Sequence, residues 1–112
     1  MSDKTNLIKG TLTTIILKLL DDNDKMYGYE MTKKVRELTN DKIKLTEGAL
    51  YPALHKLEAE GLIHSTIQQI GNRPRKYYHL TKIGKKESQK KLADILNFIE
   101  DMNIIFNLKH SI

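Results

Sequence analysis

The sequence predicts a mainly α-helical fold that contains one small β-hairpin. Three segments with helical spacing of apolar residues precede a stretch of β-compatible residues interrupted by a Gly-Asn-Arg-Pro turn. A fourth and longer helical pattern fills most of the remaining chain. Three short helices followed by a basic hairpin are the parts of a winged helix-turn-helix, here followed by a long C-terminal helix.

The first two predicted helices each carry one apolar face. Residues 7–20 place apolar side chains at three- and four-residue steps, and the polar run DDND that follows breaks the pattern. A polar run, TNDK, also ends the second helix, which is predicted over residues 27–38. The buried side of this second helix would hold Tyr27, Met31, Val35 and Leu38.

The third predicted helix lies within TEGALYPALHKLEAEG, residues 46–61. Thr46 is its expected N-cap, because a hydroxyl can accept from a free N–H group of the first turn. Gly61 is placed to end the helix, since glycine tolerates the left-handed conformation common at helix C-termini. The buried stripe would comprise Leu50, Ala53, Leu54 and Leu57.

The opposite face of this helix has an unusual composition for a surface in water. At 100° per residue it carries Gly48, Pro52, His55, Lys56 and Ala59, with Tyr51 at its edge. Glycine lets a base or phosphate approach the backbone, and a proline ring can pack on a thymine methyl group or a sugar. Tyr51 and Lys56 can bind phosphates, and His55 can hydrogen-bond a base edge. The face therefore predicts DNA contact through Gly48, Tyr51, Pro52, His55 and Lys56.

Four of these residues also have a plainer interpretation. Gly48 and Pro52 can simply shape the start of the helix, where a missing N–H costs less than in the interior. Tyr51 can be a partly buried ring with a wet hydroxyl, and His55 a solvated surface histidine. The sequence leaves both interpretations open.

Positive charge is concentrated in and after the hairpin. The chain has a formal charge of +5, and residues 62–91 hold eight Lys or Arg but a single acid, Glu87. Two β-compatible runs, 62–69 and 75–80, flank the turn, and the basic side chains there are Arg73, Arg75 and Lys76. Arginine suits phosphate oxygens or a narrow minor groove, so these three residues are predicted DNA contacts. A solubilising charged turn is the alternative.

The residues after the basic turn also allow predictions about burial and charge. Tyr77 and Tyr78 alternate along the second strand, so one is expected in the core and the other exposed. Lys82, Lys85 and Lys86 open the last helix, where the helix dipole disfavours cations. They are either matched by an external anion or simply solvated.

The last predicted helix, residues 82–108, would be about 40 Å long at 1.5 Å per residue. The preceding residues form too small a body to cover it, so its apolar stripe needs a partner. A second copy of the same helix is the simplest one, and we expect a homodimer. The chain would then comprise a DNA-binding domain (1–81) and a dimerisation helix (82–112). The predicted dimer interface is Leu92, Ile95, Leu96, Ile99, Met102 and Phe106.

Composition and spacing exclude several other classes of protein. There are no cysteines, which rules out a disulfide framework and thiolate catalysis. The N-terminus lacks a signal-peptide pattern and no apolar run is long enough to span a membrane, so we expect a cytoplasmic protein. The four histidines lack zinc-type spacing and the six glycines are isolated. We therefore expect no metal, no cofactor and no enzymatic activity.

A winged-helix module that binds protein partners through the long helix is the alternative to a DNA-binding regulator. Salt distinguishes the two functions. Binding through several DNA phosphates weakens steeply as salt rises, whereas an apolar contact between helices does not.

Several segments together resemble the PadR family of bacterial transcriptional regulators. They are KGTLTTIILKLL (9–20), YGYEM (27–31), EGALYPALHKLEAEGLI (47–63) and RPRKYYHLT (73–81), followed by Gly84. The match runs through nearly all of residues 7–84, and the single long C-terminal helix is similar to that of the short subfamily. The resemblance implies a homodimeric repressor that pairs through its last helix together with its first. It also implies that the third helix enters the major groove and that the wing contacts the adjacent backbone or minor groove.

The resemblance assigns roles by position and shows two departures. Gly48, Tyr51, Pro52 and Lys56 fall in the recognition-helix motif of the family, and Arg73, Arg75 and Lys76 fall in its wing motif. Ala49 stands where family members usually have Ser or Thr, which removes one DNA hydrogen bond. Ile95 stands at about the position of a tryptophan in the multidrug-responsive members. Without that tryptophan, the ligand that the resemblance still implies is a small hydrophobic effector bound against Phe98, Ile99 and Met102. The plainer interpretation is that these three residues belong to the core of the dimer.

Overall fold

A computed structural model describes residues 8–107 as helices packed around a small sheet. The helices are α1 (Leu12–Asp22), α2 (Gly28–Leu38), α3 (Glu47–Ala59) and α4 (Lys82–Phe106). The strands are β1 (Met26–Tyr27), β2 (Ile63–Ile70) and β3 (Arg73–Leu80), paired antiparallel in the order β1-β3-β2. The predicted winged helix-turn-helix with a long final helix is confirmed.

The first predicted helix is interrupted near its start. Residues 8 and 9 are helical, a turn follows at Gly10 and Thr11, and α1 begins only at Leu12. The Thr11 hydroxyl donates to the Ile8 carbonyl at 3.0 Å, and the Thr11 N–H donates to the same oxygen at 2.7 Å. Residue 7, where the predicted pattern starts, lies outside the described residues.

The sheet contains a short strand that sequence analysis missed. In β1, Met26 pairs with Tyr78 and Tyr27 pairs with Tyr77. Two residues are too few to show the alternation from which strands are predicted, and Tyr27 had been assigned to the second helix. The wing is therefore joined to the body through a third strand as well as through the ends of its hairpin.

The hairpin turn is tighter than predicted. Only Gly71 and Asn72 join β2 to β3, and Gly71 has a φ of +62°, as the first central residue of a type II′ turn requires. Pro74, which was placed in the turn, instead pairs with Gln69 inside β3. Proline is tolerated there because β1 does not extend along this part of β3, which leaves one edge of the strand unpaired.

The hydrophobic core lies between the helices and the inner face of the sheet, and it corrects two predictions. Leu38, predicted to be buried, is the last residue of α2 and is 72% exposed. Tyr77 and Tyr78 are both buried, whereas one was expected to be exposed. Tyr78 faces the core, and Tyr77 is covered on the outer face by the Tyr27 ring at 5.4 Å in an edge-to-face arrangement.

Both predicted ends of α3 are confirmed. The Thr46 hydroxyl accepts a hydrogen bond from the Ala49 N–H at 3.2 Å. At the other end Gly61 has a φ of +77°, and the N–H groups of Gly61 and Leu62 donate to carbonyls of the last turn, each at 3.0 Å. This pair of bonds is a Schellman motif. The stripe that holds α3 to the core, Leu50, Leu54 and Leu57, is fully buried.

The long helix α4 is packed closely on the body at its start. Thr81 caps it by accepting from the Gly84 N–H at 3.0 Å, and Gly84 and Ser88 are its buried residues. The 25 residues of α4 span about 37 Å. Of the predicted dimer residues, Leu92, Ile95 and Met102 are half-buried in the single chain, and Leu96, Ile99 and Phe106 are exposed.

Candidate nucleic-acid interface

The outward face of α3 is open to solvent. The buried leucines on its other side fix the rotation of the helix about its axis. A Cβ atom at Gly48 would meet nothing within 4 Å, so no described part of the chain fills the space beside this glycine. The five residues assigned to DNA contact on α3 are all exposed: Gly48, Tyr51, Pro52, His55 and Lys56.

Tyr51 is both packed against another helix and partly exposed, so it fits the two interpretations that the sequence left open, a partly buried ring and a DNA contact. Its side chain reaches from α3 to the first residue of α2, where a Cβ atom at Gly28 would lie 2.5 Å from the Tyr51 hydroxyl oxygen. The glycine of the YGYE segment therefore makes room for this tyrosine. Tyr51 is nevertheless 38% exposed, so part of the ring stays available at the edge of the outward face.

The three basic residues of the wing lie in different surroundings. Arg73 is exposed next to the turn. The Arg75 guanidinium lies 4.5 Å from the centre of the Tyr27 ring on the outer face of the sheet, a cation–π contact. Lys76 points to the other face, since side chains alternate along a strand, and its Nζ lies 4.0 Å from a Glu58 carboxylate oxygen. Folding thus leaves Arg73 as the wing cation without a described protein partner.

Glu58 joins α3 to the inner face of the wing. Its carboxylate accepts a hydrogen bond from the Ser65 hydroxyl of β2 at 2.8 Å, and it lies near Lys76 of β3. Burial raises the pKa of the Tyr78 hydroxyl on the same face, and the Glu58 charge adds to this shift. The wing therefore cannot turn independently of α3 without breaking these contacts.

An aromatic cluster supports the outer face of the wing. Tyr27 lies between Tyr77, at 5.4 Å, and the exposed Tyr29, at 6.4 Å between ring centres. Lys25 lies 4.8 Å over the Tyr77 ring and donates to the Gln68 side chain at 2.9 Å. The sequence does not predict this cluster, because its contacts depend on β1, which has no periodic pattern.

Two histidines stack at the base of the wing. The rings of His64 and His79 lie 4.8 Å apart and nearly parallel, and His79 Nε2 is 3.0 Å from the Thr66 hydroxyl. Burial lowers the pKa of His79, and the neighbouring His64 and Lys25 lower it further, while Asp24 opposes the change. The stack therefore favours the neutral ring.

We expect this stack to make stability depend on pH. The unfolded chain takes up the His79 proton at about pH 6.5, whereas the folded chain takes it up only at lower pH. The contribution of His79 is thus present above pH 6.5 and is lost as the pH falls through its folded pKa. Urea unfolding at pH 7.5 and 5.5 should show a smaller loss of stability for His79→Gln than for the wild type. Equal losses would show that His79 does not couple to folding.

A groove beside α3 gathers lysines that sequence analysis did not assign. It lies between residues 8–13, the loop 41–46 and α3, whose Gly48, Pro52 and Lys56 form part of its wall. The other basic residues lining it are Lys9, Lys42 and Lys44. These lysines belong to residues 1–61, a segment without net charge, so the sequence carried no signal of a basic surface here.

Two further observations limit the kinds of site that are present. Among residues 8–107, no group of three or more His, Asp or Glu side chains is arranged to hold a metal ion. None of the helices in this described part of the chain is long and apolar enough to cross a bilayer. The exposed face of α3 and the adjacent wing remain the best-formed candidate site.

A helix-turn-helix whose third helix presents an exposed face beside a basic hairpin defines the winged helix-turn-helix class of DNA-binding regulators. Residues 16–90 match the PadR-like family of transcriptional regulators. The chain belongs to this family, which confirms the resemblance that its motifs show.

Solved structures and a sequence relative agree with this assignment. A transcriptional regulator from Clostridium thermocellum has a TM-score of 0.80 and 33% identity, covering 88% of this chain and 95% of that one. A PadR family transcription regulator from Clostridium difficile has a TM-score of 0.70 and 34% identity, over 86% and 97% of the two chains. A transcriptional regulator from Mycobacterium tuberculosis is 36% identical over 70 residues, which span 62% of each chain.

Proposed function

We propose that the protein is a transcriptional repressor that binds a specific DNA operator as a homodimer. In each subunit α3 enters the major groove of one half-site, and the wing contacts the adjacent backbone or minor groove. The observation that carries the proposal is the outward face of α3. It is exposed, its five assigned residues include no acid, and lysines line the groove beside it.

Some residues on this face would position α3 on the DNA backbone, and others would contact the bases. The open space beside Gly48 and the positive end of the α3 dipole favour a nearby phosphate, and Lys56 supplies a charge for another. Pro52 offers an apolar surface to a thymine methyl group or a sugar, and His55 can hydrogen-bond a base edge. Tyr51 would contribute from the edge of the face, with its ring anchored on Gly28.

The surroundings of the three wing cations support different roles for them. Arg73 is exposed next to the turn and would make the phosphate or minor-groove contact. Arg75 and Lys76 would add positive potential while Tyr27 and Glu58 hold them in place. Their contribution to affinity should therefore be smaller than that of Arg73.

We propose that α4 pairs with its copy in a second subunit. Exposed apolar side chains concentrate on its C-terminal half, and such a patch is typical of an interface. They include three residues of the predicted interface and also Phe98, Ile104 and Ile105. In this proposal residues 1–81 bind DNA and residues 82–112 hold the dimer together.

Regulation and location complete the proposed function. The protein would act in the cytoplasm, where its operator lies. A small hydrophobic effector that binds at Phe98, Ile99 and Met102 would release it from DNA by altering the dimer. Exposure of Phe98 and Ile99 in the single chain supports an apolar site formed between subunits.

The proposal predicts that Lys56→Ala and Arg73→Ala each weaken operator binding by about tenfold, or about 1.4 kcal/mol. Each lost phosphate contact should also make the slope of log affinity against log salt shallower by about 0.9. The measurement is fluorescence anisotropy with the DNA upstream of the protein's own gene. The expected operator is an inverted repeat with half-site centres about 34 Å apart.

A matched control is Lys18→Ala. Lys18 lies on α1 and pairs with Asp22 at 2.7 Å, so its removal deletes the same charge away from the proposed interface. It should leave operator affinity near that of the wild type, and light scattering should show the same oligomer for all variants. Unchanged affinity in both test variants would count against the assigned contacts.

A protein-binding module remains the second candidate, because the apolar face of α4 also fits a partner helix. Binding to DNA should weaken by orders of magnitude between about 50 and 200 mM salt. Binding of a protein through an apolar helix face should change little over the same range. A salt-insensitive interaction, with no affinity for any upstream DNA, would favour the second candidate.

A further inference from the structure

We propose that the junction between α3 and α4 sets the half-site spacing that the dimer recognises. Thr81 and Gly84 are its positioning residues, and they act through the direction in which α4 leaves the recognition helix. The inference rests on the proposed function, since it concerns how a dimer of this protein selects its operator.

Leu62 lies at the centre of the junction, because its backbone groups form hydrogen bonds with the end of α3 and with the residue that precedes α4. Its N–H closes the end of α3 by donating to the Leu57 carbonyl at 3.0 Å. Its carbonyl accepts from the Thr81 N–H at 3.1 Å, immediately before α4. A single residue thus connects the last turn of α3 to the cap of α4.

The Thr81 hydroxyl adds a second connection between the helices. It donates to the Gly61 carbonyl at 2.7 Å and also lies 3.2 Å from the Leu62 carbonyl oxygen. The Thr81 hydroxyl oxygen in turn accepts from the Gly84 N–H at 3.0 Å. One side chain therefore bonds simultaneously to the end of α3 and to the first turn of α4.

Gly84 brings the two backbones into direct contact. A Cβ atom at this position would lie 2.8 Å from the Leu62 carbonyl carbon and nearer still to its oxygen. Real Cβ atoms essentially never approach closer than 3.0 Å, and the obstacle is backbone rather than a flexible side chain. Any side chain here must push α4 away from Leu62 or change its angle.

Such a change would be magnified along α4. Its buried residues, Gly84 and Ser88, lie in its first two turns, where α4 is packed against the body. The proposed dimer residues begin at Leu92 and end at Phe106, about 12 to 33 Å further along the axis. A small rotation at the junction therefore moves the dimer contact, and with it the distance between the two copies of α3. One base pair changes half-site separation by about 3.4 Å and rotates one site by about 35°.

The test compares three operators, one with the natural spacing and two with a spacer one base pair longer or shorter. Gly84→Ala introduces the clash, and Thr81→Val removes the hydroxyl while keeping its shape. Thr81→Ser, which keeps the hydroxyl, is the control for both. Dissociation constants are measured by anisotropy on all three DNAs, with light scattering to establish the dimer.

We expect the wild type and the Thr81→Ser control to prefer the natural spacing. Gly84→Ala and Thr81→Val should lower that preference at least about tenfold or transfer it to another spacing. Equal weakening on all three operators would overturn the inference, because it would indicate a purely structural role. If Gly84→Ala does not fold, Thr81→Val decides the result. Failure of the wild type to bind any operator would instead reject the proposed function, and the inference with it.

Discussion

Replacement of both Leu96 and Ile99 by aspartate is expected to produce monomers and to lower operator affinity by at least about 100-fold. In the single chain these side chains are 55% and 51% exposed, so the charges should not disturb the fold of one subunit. In the proposed dimer they would place four carboxylates in an apolar interface, where desolvation and repulsion both oppose association. Linked binding to two half-sites contributes about 10²- to 10⁴-fold in affinity, and a monomer loses it.

Sedimentation equilibrium measures the loss of the dimer, and an operator titration measures the loss of affinity. Both losses should occur in the same double variant. Asn97→Asp is the control, since it adds one carboxylate to an exposed position of the same helix outside the predicted interface. It should remain dimeric and bind the operator as the wild type does. A double variant that stays dimeric would show that another surface joins the subunits.

The second large effect is expected at Leu54, which should lose about 2–5 kcal/mol of unfolding free energy when replaced by alanine. Leu54 has no exposed surface and lies in the middle of the stripe that packs α3 on the core. A domain of this size has about 5–15 kcal/mol of stability in total, so the variant should unfold at a much lower urea concentration. Circular dichroism of urea-induced unfolding measures the change.

His55→Ala, one residue further along α3, is expected to affect DNA binding rather than stability. His55 is exposed, so its removal should change stability by no more than about 0.5 kcal/mol. It should weaken operator binding if the imidazole contacts a base. The two variants separate the inward and outward faces of α3, and a stable Leu54→Ala variant would show that the stripe does not hold the helix.

The features of α3 that sequence analysis predicted correctly depend on local signals. A hydroxyl at Thr46, a left-handed glycine at position 61 and a 3.6-residue apolar period act within a few residues of each other. The same holds for the start of α4 at Thr81. These signals place the outward face of α3 without knowledge of the rest of the chain.

The features that it missed depend on residues far apart in the sequence. Tyr77 is buried because Tyr27, fifty residues earlier, covers it. The basic groove forms because folding brings residues 8–13 and 41–46 beside α3. The position of Tyr51 on α3 is likewise predictable from local spacing, whereas the packing of its hydroxyl against Gly28 depends on the distant start of α2.

The two-residue strand β1 has a consequence for the thermodynamics of DNA binding. Pairing with Tyr77 and Tyr78 holds the base of the hairpin from one side, while Glu58 and Ser65 hold its inner face. A hairpin restrained in this way has few backbone conformations to lose when it meets a duplex, so most of its ordering entropy is already lost on folding. In the proposed complex the exposed side chain of Arg73 would then supply most of the adaptation to small differences in groove width.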